Sequence, residues 1–250
     1  MNLKKRMLNR EVLSGTFIKT PAYEIIEIMA ESGLDFICLD AEHAPFDRAR
    51  LDACLAVARA HQLPTLVRVS SGSRDDILKV LDSGATGVVV PHVDTLQKAR
   101  DIAAWARFGH GGRGYAGSTR WAGFTTRKMP DILAQSESET IVIAQIEEPE
   151  GVEICADIAA VEGIDGLFVG PADLAVCLGV TDLNDPQVLN AMKRVGDAAR
   201  QQNCCCMTFA PNTGSAKKLH ELGVTMFYIS SEHGFMLAGA RQAASELSKL

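Results

Sequence analysis

The segment FICLDAEH, residues 36–43, ends an apolar run with three ionisable side chains, Asp40, Glu42 and His43. A histidine at a strand end is suited to act as a general base, because its ordinary pKa lies near neutral pH. We expect Asp40 to orient the His43 imidazole and to raise its basicity. The alternative is a surface histidine in a loop, but the adjacent aspartate favours the base. Two roles stay open for Glu42: binding water around a metal ion, or stabilising the turn.

Two further acids follow predicted strands: Glu147 in QIEE and Asp173 in GPADL. Hard divalent cations such as Mg²⁺ and Mn²⁺ take oxygen ligands and commonly use one or two protein carboxylates. The pair therefore indicates a site for such an ion. The spacing leaves open the alternative that both acids cap the helices that follow. The chain has no H-x-H, H-E-x-x-H or Cys/His cluster, so a zinc-type site is not expected.

Two basic residues stand in or beside apolar strands. Arg68 lies in TLVRVS, where a buried guanidinium needs an anion, either a structural carboxylate or a ligand oxygen. Lys19 ends the first strand and raises a rival chemistry through a Schiff base. No apolar pocket is evident around Lys19, so we expect a solvated lysine. The backbone amides of GPADL suit a ligand carboxylate, although this short pattern is common.

Short β-branched runs alternate with amphipathic stretches along the chain, which is typical of βαβ units around a parallel sheet. The predicted strands cover residues 15–19, 36–40, 65–69, 87–91, 141–147, 166–170, 205–209 and 227–231. Eight helical patterns follow them, the last at residues 233–250. These units predict an α/β protein with a single (β/α)₈ TIM-barrel domain over residues 1–250. A doubly wound sheet also alternates, but no G-x-G-x-x-G follows the first strand.

Composition narrows the class of protein. The chain has 250 residues, 47% of them hydrophobic, and a net charge of -6 without a basic stripe, so we expect no nucleic-acid partner. No apolar run is long enough to span a bilayer, and the start lacks the apolar core of a secretory signal. We therefore expect a cytoplasmic protein without a membrane partner. Seven cysteines without a C-x-x-C pair favour reduced thiols, with Cys204, Cys205 and Cys206 packed in the core.

The longest irregular stretch covers residues 108–130 and is rich in glycine and arginine. A loop of this length is commonly functional or mobile. Arg113, Arg120 and Trp121 could bind a distal carboxylate or sugar hydroxyls of a ligand, or could form an interface. Composition does not choose between these alternatives.

The motifs LDAEHAP, VRV, QIE and GPADL, in this order, resemble the HpcH/HpaI family of metal-dependent pyruvate aldolases. The resemblance covers essentially the whole chain and is closest to the 4-hydroxy-2-oxoheptanedioate and 2-dehydro-3-deoxyglucarate aldolase type. It implies cleavage of a 4-hydroxy-2-oxo acid to pyruvate and an aldehyde. It also implies Mg²⁺ or Mn²⁺, with Co²⁺ as a further candidate, and no organic cofactor. The implied assembly is a homo-oligomer, a hexamer or trimer, that exchanges its last helix between subunits.

The resemblance also implies roles for individual residues. Glu147 and Asp173 match the metal ligands, and Asp40 with His43 matches the catalytic dyad. Arg68 matches the arginine at the ketone or enolate oxygen. The groups that position pyruvate correspond to Gln145, Ala172 and Asp173.

Three departures affect the substrate more than the chemistry. Ala41 stands where the family usually has glycine, the loop RFGHGGRG lacks the family's two prolines, and the last two strands end in MTFAPN and SSEHGF. Two alternatives remain. One is a CoA-ester lyase or citrate-lyase β type enzyme of the same superfamily, which the absence of an evident CoA-binding extension disfavours. The other is a barrel that binds oxo acids without catalysis, which has no need of a dyad.

Overall fold

A computed structural model describes residues 2–249. Eight parallel strands form a closed barrel in which each strand pairs with its sequence neighbour and the last pairs with the first. The strands are β1 Leu13–Ile18, β2 Phe36–Asp40, β3 Thr65–Arg68, β4 Gly87–Val90, β5 Ile141–Ile146, β6 Gly166–Val169, β7 Cys205–Ala210 and β8 Met226–Ser231. The predicted TIM barrel is confirmed. Met1 and Leu250 lie outside the described residues, so the predicted single domain over residues 1–250 stays a prediction.

Helices surround the barrel and also precede it. They are α1 Leu3–Leu8, α2 Tyr23–Ala30, α3 Arg48–Ala60, α4 Arg74–Ser83, α5 Leu96–Trp105, α6 Met129–Glu139, α7 Pro149–Glu153, α8 Cys155–Ala159, α9 Pro171–Cys177, α10 Pro186–Gln201, α11 Thr213–His220 and α12 Glu232–Leu247. Sequence patterns missed α1, α6 and α9. One predicted helix is divided at Ile154 into α7 and α8.

The strands bury both faces, and the period-two alternation decides which side chain faces the barrel axis. On β2, Phe36 and Cys38 belong to the apolar cluster inside the barrel, whereas Ile37 and Leu39 pack against the helices. Asp40 continues the inward series. On β5 the inward series of Ile141 and Ile143 continues through Gln145 to Glu147, which follows the strand.

An aromatic layer closes the barrel interior below these polar groups. The ring centroids of Phe17 and Tyr228 lie 4.2 Å apart, and those of Phe168 and Tyr228 lie 5.3 Å apart. The guanidinium carbon of Arg68 lies 4.8 Å from the Phe17 ring centroid. The polar cluster therefore occupies the carboxyl ends of the strands, above an apolar floor.

The cysteines and the last helix complete the description. All seven cysteines are free thiols, and Cys204, Cys205 and Cys206 are buried in the core as predicted. Within α12, every residue from Phe235 onward is exposed, including the large apolar side chains of Met236 and Leu237. Among residues 2–249, no helix is both long enough and apolar enough to cross a membrane.

Candidate active site

A buried ion cluster joins the ends of β2 and β3. Asp40 pairs with Arg68 in the parallel register and accepts hydrogen bonds from Arg68 Nε at 3.0 Å and Nη2 at 2.8 Å. Lys19 Nζ lies 3.0 Å from Asp40 Oδ2. The expected solvated lysine is corrected in part: the Lys19 side chain is 32% exposed, but its ammonium contacts a buried carboxylate. The sequence left two possible partners for Arg68, a structural carboxylate or a ligand oxygen. In the structure its partner is the structural carboxylate, Asp40.

These contacts determine the ionisation of the pair. Burial raises the pKa of Asp40, but the hydrogen bonds and charges of Arg68 and Lys19 outweigh burial and hold that pKa below its ordinary value. Burial lowers the pKa of Arg68, and Asp40 outweighs this effect, so the pKa lies above its ordinary value. Asp40 and Arg68 therefore carry full opposite charges at neutral pH.

The predicted contact between Asp40 and the His43 ring is corrected by the structure. Asp40 Oδ1 accepts a hydrogen bond of 3.1 Å from the backbone N–H of His43, while the His43 imidazole is 56% exposed. Its Nε2 lies 3.6 Å from Glu42 Oε2. The physical reason is the turn after β2, which carries His43 out of the barrel while Asp40 remains inside. Glu42, rather than Asp40, is the carboxylate beside the ring.

Glu42 links the Asp40–Arg68 ion cluster to the polar residues that follow β4 and β5. Its Oε2 lies 3.3 Å from Arg68 Nε, and its Oε1 lies 3.6 Å from Nε2 of His92. Burial raises the pKa of the Glu42 carboxyl, although Arg68 and His43 oppose the shift. Burial therefore favours the neutral form of the Glu42 carboxyl more than it does in an ordinary glutamate.

Among the acidic residues that follow β5 and β6, Glu147 is the most deeply buried. It is 2% exposed, and its Oε1 accepts a 2.9 Å hydrogen bond from the backbone N–H of His92. The Gln145 side-chain amide donates a short hydrogen bond to Glu147 Oε2. A Cβ atom on Gly170 would lie 2.8 Å from Glu147 Oε2, so a side chain at this position would displace the Glu147 carboxylate. Asp173 follows in the first turn of α9.

Ala172 and Asp173 are both exposed at the start of α9, on the barrel face that holds Glu147. Within the described residues, neither α7 nor α9 begins with a side-chain capping hydrogen bond. Glu147 accepts its hydrogen bonds from His92 and Gln145 and not from the first turn of α7, so it does not cap that helix, whereas Asp173 lies in the first turn of α9. Their use as metal ligands stays a prediction.

His92 and Glu148 are site residues that sequence reasoning missed. His92 follows β4 and Pro91, and its Nδ1 lies 3.2 Å from Glu147 Oε1 and 2.5 Å from Glu148 Oε1. The hydrogen bond to Glu148 raises the pKa of His92 above its ordinary value. The strand GVVVP ends without a polar residue, so the only signal was position: His92 follows a strand end in a barrel.

The donor set fits a divalent cation. Donor atoms of His92, Glu147 and Glu148 all lie within 4.8 Å of one another. Among the described residues, Gln145 Oε1 and Glu148 Oε2 are buried without a hydrogen-bond partner. Buried acceptors without donors are costly unless a cation or water satisfies them. The carboxylates and the imidazole suit Mn²⁺ or Co²⁺ at least as well as Mg²⁺.

The long loop does not reach this cluster. The Arg113 guanidinium is fully buried, lies 4.5 Å from the Phe108 ring centroid and 5.0 Å from that of Trp121, and binds Asp82 through Nε at 3.1 Å. Asp82 is at the carboxyl end of α4, on the side of the barrel opposite the strand ends.

Arg120 forms a 2.8 Å ion pair with Asp52 of α3. Because Arg113 and Trp121 are 2% and 4% exposed, their side chains hold the loop to the helices. This internal role replaces both predicted alternatives for Arg113 and Trp121, contact with a ligand or with an interface.

Comparison with known proteins identifies the family. Residues 13–237 match the family described as HpcH/HpaI aldolase/citrate lyase. The hydroxypyruvate/pyruvate aldolase of Paraburkholderia phytofirmans is 31% identical over 253 residues, covering 98% of this chain and 96% of that one. The 5-keto-4-deoxy-D-glucarate aldolase of Klebsiella pneumoniae is 33% identical over 225 residues, covering 89% of this chain and 87% of that one.

A solved structure agrees with these sequence matches. The crystal structure of an HpcH/HpaI aldolase/citrate lyase family protein from Burkholderia cenocepacia superimposes with a TM-score of 0.92 and 34% identity, covering 98% of each chain. The resemblance seen in the motifs is confirmed, and the family is metal-dependent. The chain belongs to the HpcH/HpaI aldolase/citrate lyase family and is a carbon–carbon lyase of the aldolase type.

Proposed function

We propose that this enzyme cleaves 4-hydroxy-2-oxo acids reversibly to pyruvate and an aldehyde, with a divalent cation held at Glu147 and Asp173. The observation that carries the proposal is the convergence of two clusters at one end of the barrel: the Arg68 ion cluster and the buried Glu147 group, linked by Glu42. Both aldolase relatives are named for small oxo acids.

A divalent cation held by Glu147 and Asp173 would supply Lewis-acid chemistry, which would polarise the oxo acid and weaken its C3–C4 bond. Glu147, buried and fixed by His92 and Gln145, holds its ligand geometry before substrate arrives. Gln145, with Ala172 and Asp173 at the start of α9, is the group we assign to positioning the pyruvate moiety.

Arg68 provides a positive charge that stabilises the negative charge on the ketone oxygen of the substrate. Asp40 binds Arg68 through Nε and Nη2, so within residues 2–249 the Nη1 hydrogens remain for a ligand oxygen. The negative charge that develops on the ketone oxygen as the enolate forms is thereby placed against a fixed guanidinium. Asp40 keeps that guanidinium in position, which makes Asp40 a positioning residue in this proposal.

His43 is the base that we assign to the C4 hydroxyl. Its exposed ring is free to meet substrate, and Glu42 at 3.6 Å stabilises the imidazolium that forms. As the hydroxyl proton moves to His43, the C4–O bond becomes a carbonyl and the C3–C4 electron pair enters the enolate. A proton then returns to C3, which gives pyruvate and leaves the free aldehyde.

The assembly and the cell compartment are also proposals. The exposed apolar side chains of α12, together with Tyr23 and Ile28 on α2, support a homo-oligomer that exchanges its last helix. Such an exchange would cover a large apolar face of α12 that is otherwise in water. We place the enzyme in the cytoplasm, consistent with the seven free thiols.

The test is pyruvate release from a series of 4-hydroxy-2-oxo acids that differ only in the distal group. The assay couples pyruvate to lactate dehydrogenase and compares Mg²⁺, Mn²⁺ and Co²⁺ with EDTA. We expect pyruvate that depends on the metal and is lost in Glu147→Gln, while Asp157→Asn on the exposed face of α8 retains the activity. Activity that resists EDTA would overturn the metal role. Turnover of acyl-CoA or citrate instead would favour the citrate-lyase type, and binding without turnover would favour the non-catalytic barrel.

A further inference from the structure

The turn after β4 aims an imidazole at the acids of the site. His92 has a φ of +56°, in the left-handed region that costs free energy for residues other than glycine. Its N–H donates to Glu147 Oε1 at 2.9 Å, and its carbonyl accepts from Lys98 Nζ at 2.8 Å. The turn is therefore held from both sides, and its strained backbone places the ring between Glu147 and Glu148.

The spacing of the donor atoms matches that of ligands around one ion. Bonds of about 2.1 Å at right angles put neighbouring ligand atoms about 3 Å apart. His92 Nδ1 lies 3.2 Å from Glu147 Oε1, close to this spacing, whereas its 2.5 Å contact with Glu148 Oε1 is a hydrogen bond that a bound ion would have to replace. Independently, Gln145 is 1% exposed, bonds to Glu147 through Nε2 and has an unpartnered Oε1, so the surroundings of Glu147 hold an acceptor that needs a positive or donating partner.

We propose that Nδ1 of His92 is a ligand of the divalent cation held at Glu147, so that the metal site contains nitrogen as well as oxygen. The inference rests on the metal site of the proposed function and specifies its donor set. Imidazole binds Co²⁺ more strongly than Mn²⁺, whereas Mg²⁺ prefers oxygen and retains water. This chain should therefore favour Co²⁺ over Mg²⁺ more strongly than a site made only of carboxylates.

The competing explanation is purely electrostatic. His92 faces three carboxylates, those of Glu42, Glu147 and Glu148, and a protonated ring could simply balance their charge without touching a metal. The two explanations differ in what removal of the ring does. Loss of a ligand weakens Co²⁺ far more than Mg²⁺ and removes nitrogen from the coordination shell, whereas loss of a positive charge strengthens or leaves unchanged the binding of every divalent cation.

The experiment compares the full-length wild type with His92→Gln, Glu147→Gln, and His61→Gln as a matched control on the exposed end of α3. Calorimetric titration gives the Kd of Co²⁺ and of Mg²⁺, and pulsed EPR of the Mn²⁺ complex detects coupling to ¹⁴N. We expect ¹⁴N coupling in the wild type and in His61→Gln and none in His92→Gln. In His92→Gln the Kd of Co²⁺ should rise at least about tenfold, and that of Mg²⁺ by less than about threefold.

Three results would overturn the assignment: ¹⁴N coupling that persists in His92→Gln, Co²⁺ and Mg²⁺ affinities that change equally, or coupling that persists in Glu147→Gln. Thermal unfolding by circular dichroism checks that each variant is folded. Pyruvate release that depends on Glu147 but shows no ¹⁴N coupling would refute the His92 ligand while the aldolase proposal stands. Coupling that depends on His92 in a protein that releases no pyruvate would refute the aldolase proposal instead.

Discussion

Replacing Asp40 by asparagine should destabilise the barrel through the charge that it leaves behind. Asp40 is fully buried and is the carboxylate that contacts both Arg68 and Lys19. Removing one partner of a buried ion pair costs about 3–5 kcal/mol, because the other charge loses its compensation without regaining water. We expect the lower end, about 3 kcal/mol, because Glu42 remains 3.3 Å from Arg68 and the asparagine carbonyl still accepts one hydrogen bond.

The expected loss corresponds to a Tm lower by about 6–12 °C for a chain of this size. The pH dependence gives a second readout. The folded pKa of Asp40 lies below its ordinary value, so its stabilisation is present above the unfolded pKa of about 3.9 and is lost as pH falls through the folded pKa. The Tm difference between wild type and Asp40→Asn should therefore be full at pH 7 and shrink below about pH 4.

Differential scanning calorimetry from pH 3 to 8 measures both effects. Asp157→Asn, an exposed change of the same chemistry, should leave Tm within about 1 °C at every pH. An Asp40→Asn variant as stable as wild type at pH 7 would show that the ion cluster contributes no net stability. A difference that grows on acidification would show that the sign of the pKa argument is wrong.

Further predictions concern the site and the assembly. Glu147→Gln should weaken Mn²⁺ binding at least about tenfold in calorimetry, and unchanged affinity would place the ion elsewhere. His43→Gln should lower kcat about 10²-fold or more with metal affinity retained, whereas loss of both would mean that His43 is not simply the base. Incubation with pyruvate and borohydride should leave Lys19 without a mass increase, and a stable adduct would support the Schiff-base route. Replacing Met236 and Leu237 together by serine should reduce the oligomer measured by light scattering, and an unchanged mass would refute the exchange of α12.

Local patterns were enough to predict the barrel and the face that carries the chemistry. Strand β2 was predicted with its observed bounds, Phe36–Asp40, because a buried parallel strand reads as a short apolar run with a polar end. Helix α9 was missed because its GPADL start resembles a turn, and its seven residues give no full amphipathic pattern.

The partner of each polar group depended on contacts between strands. Sequence proximity suggested that Asp40 serves His43, yet the alternation on β2 turns Asp40 inward, where the parallel register sets it opposite Arg68. The segment around His92 gave no sign of a functional residue. His92 joins the site because a left-handed turn places it beside Glu147, which lies 55 residues further along the chain.

The sequence by itself determined the period-two and helical patterns. Those patterns predicted the order of the strands, where the strands end, and which polar residue types lie at the strand ends. Only the tertiary structure decided which of those groups touch. The reason is physical: alternation along a strand fixes which side a residue faces, but contacts between groups on different strands depend on register, barrel closure and the turns that follow. Those are set by packing of the whole chain, and they place Asp40 against Arg68, Glu42 beside His43, and His92 beside Glu147 and Glu148.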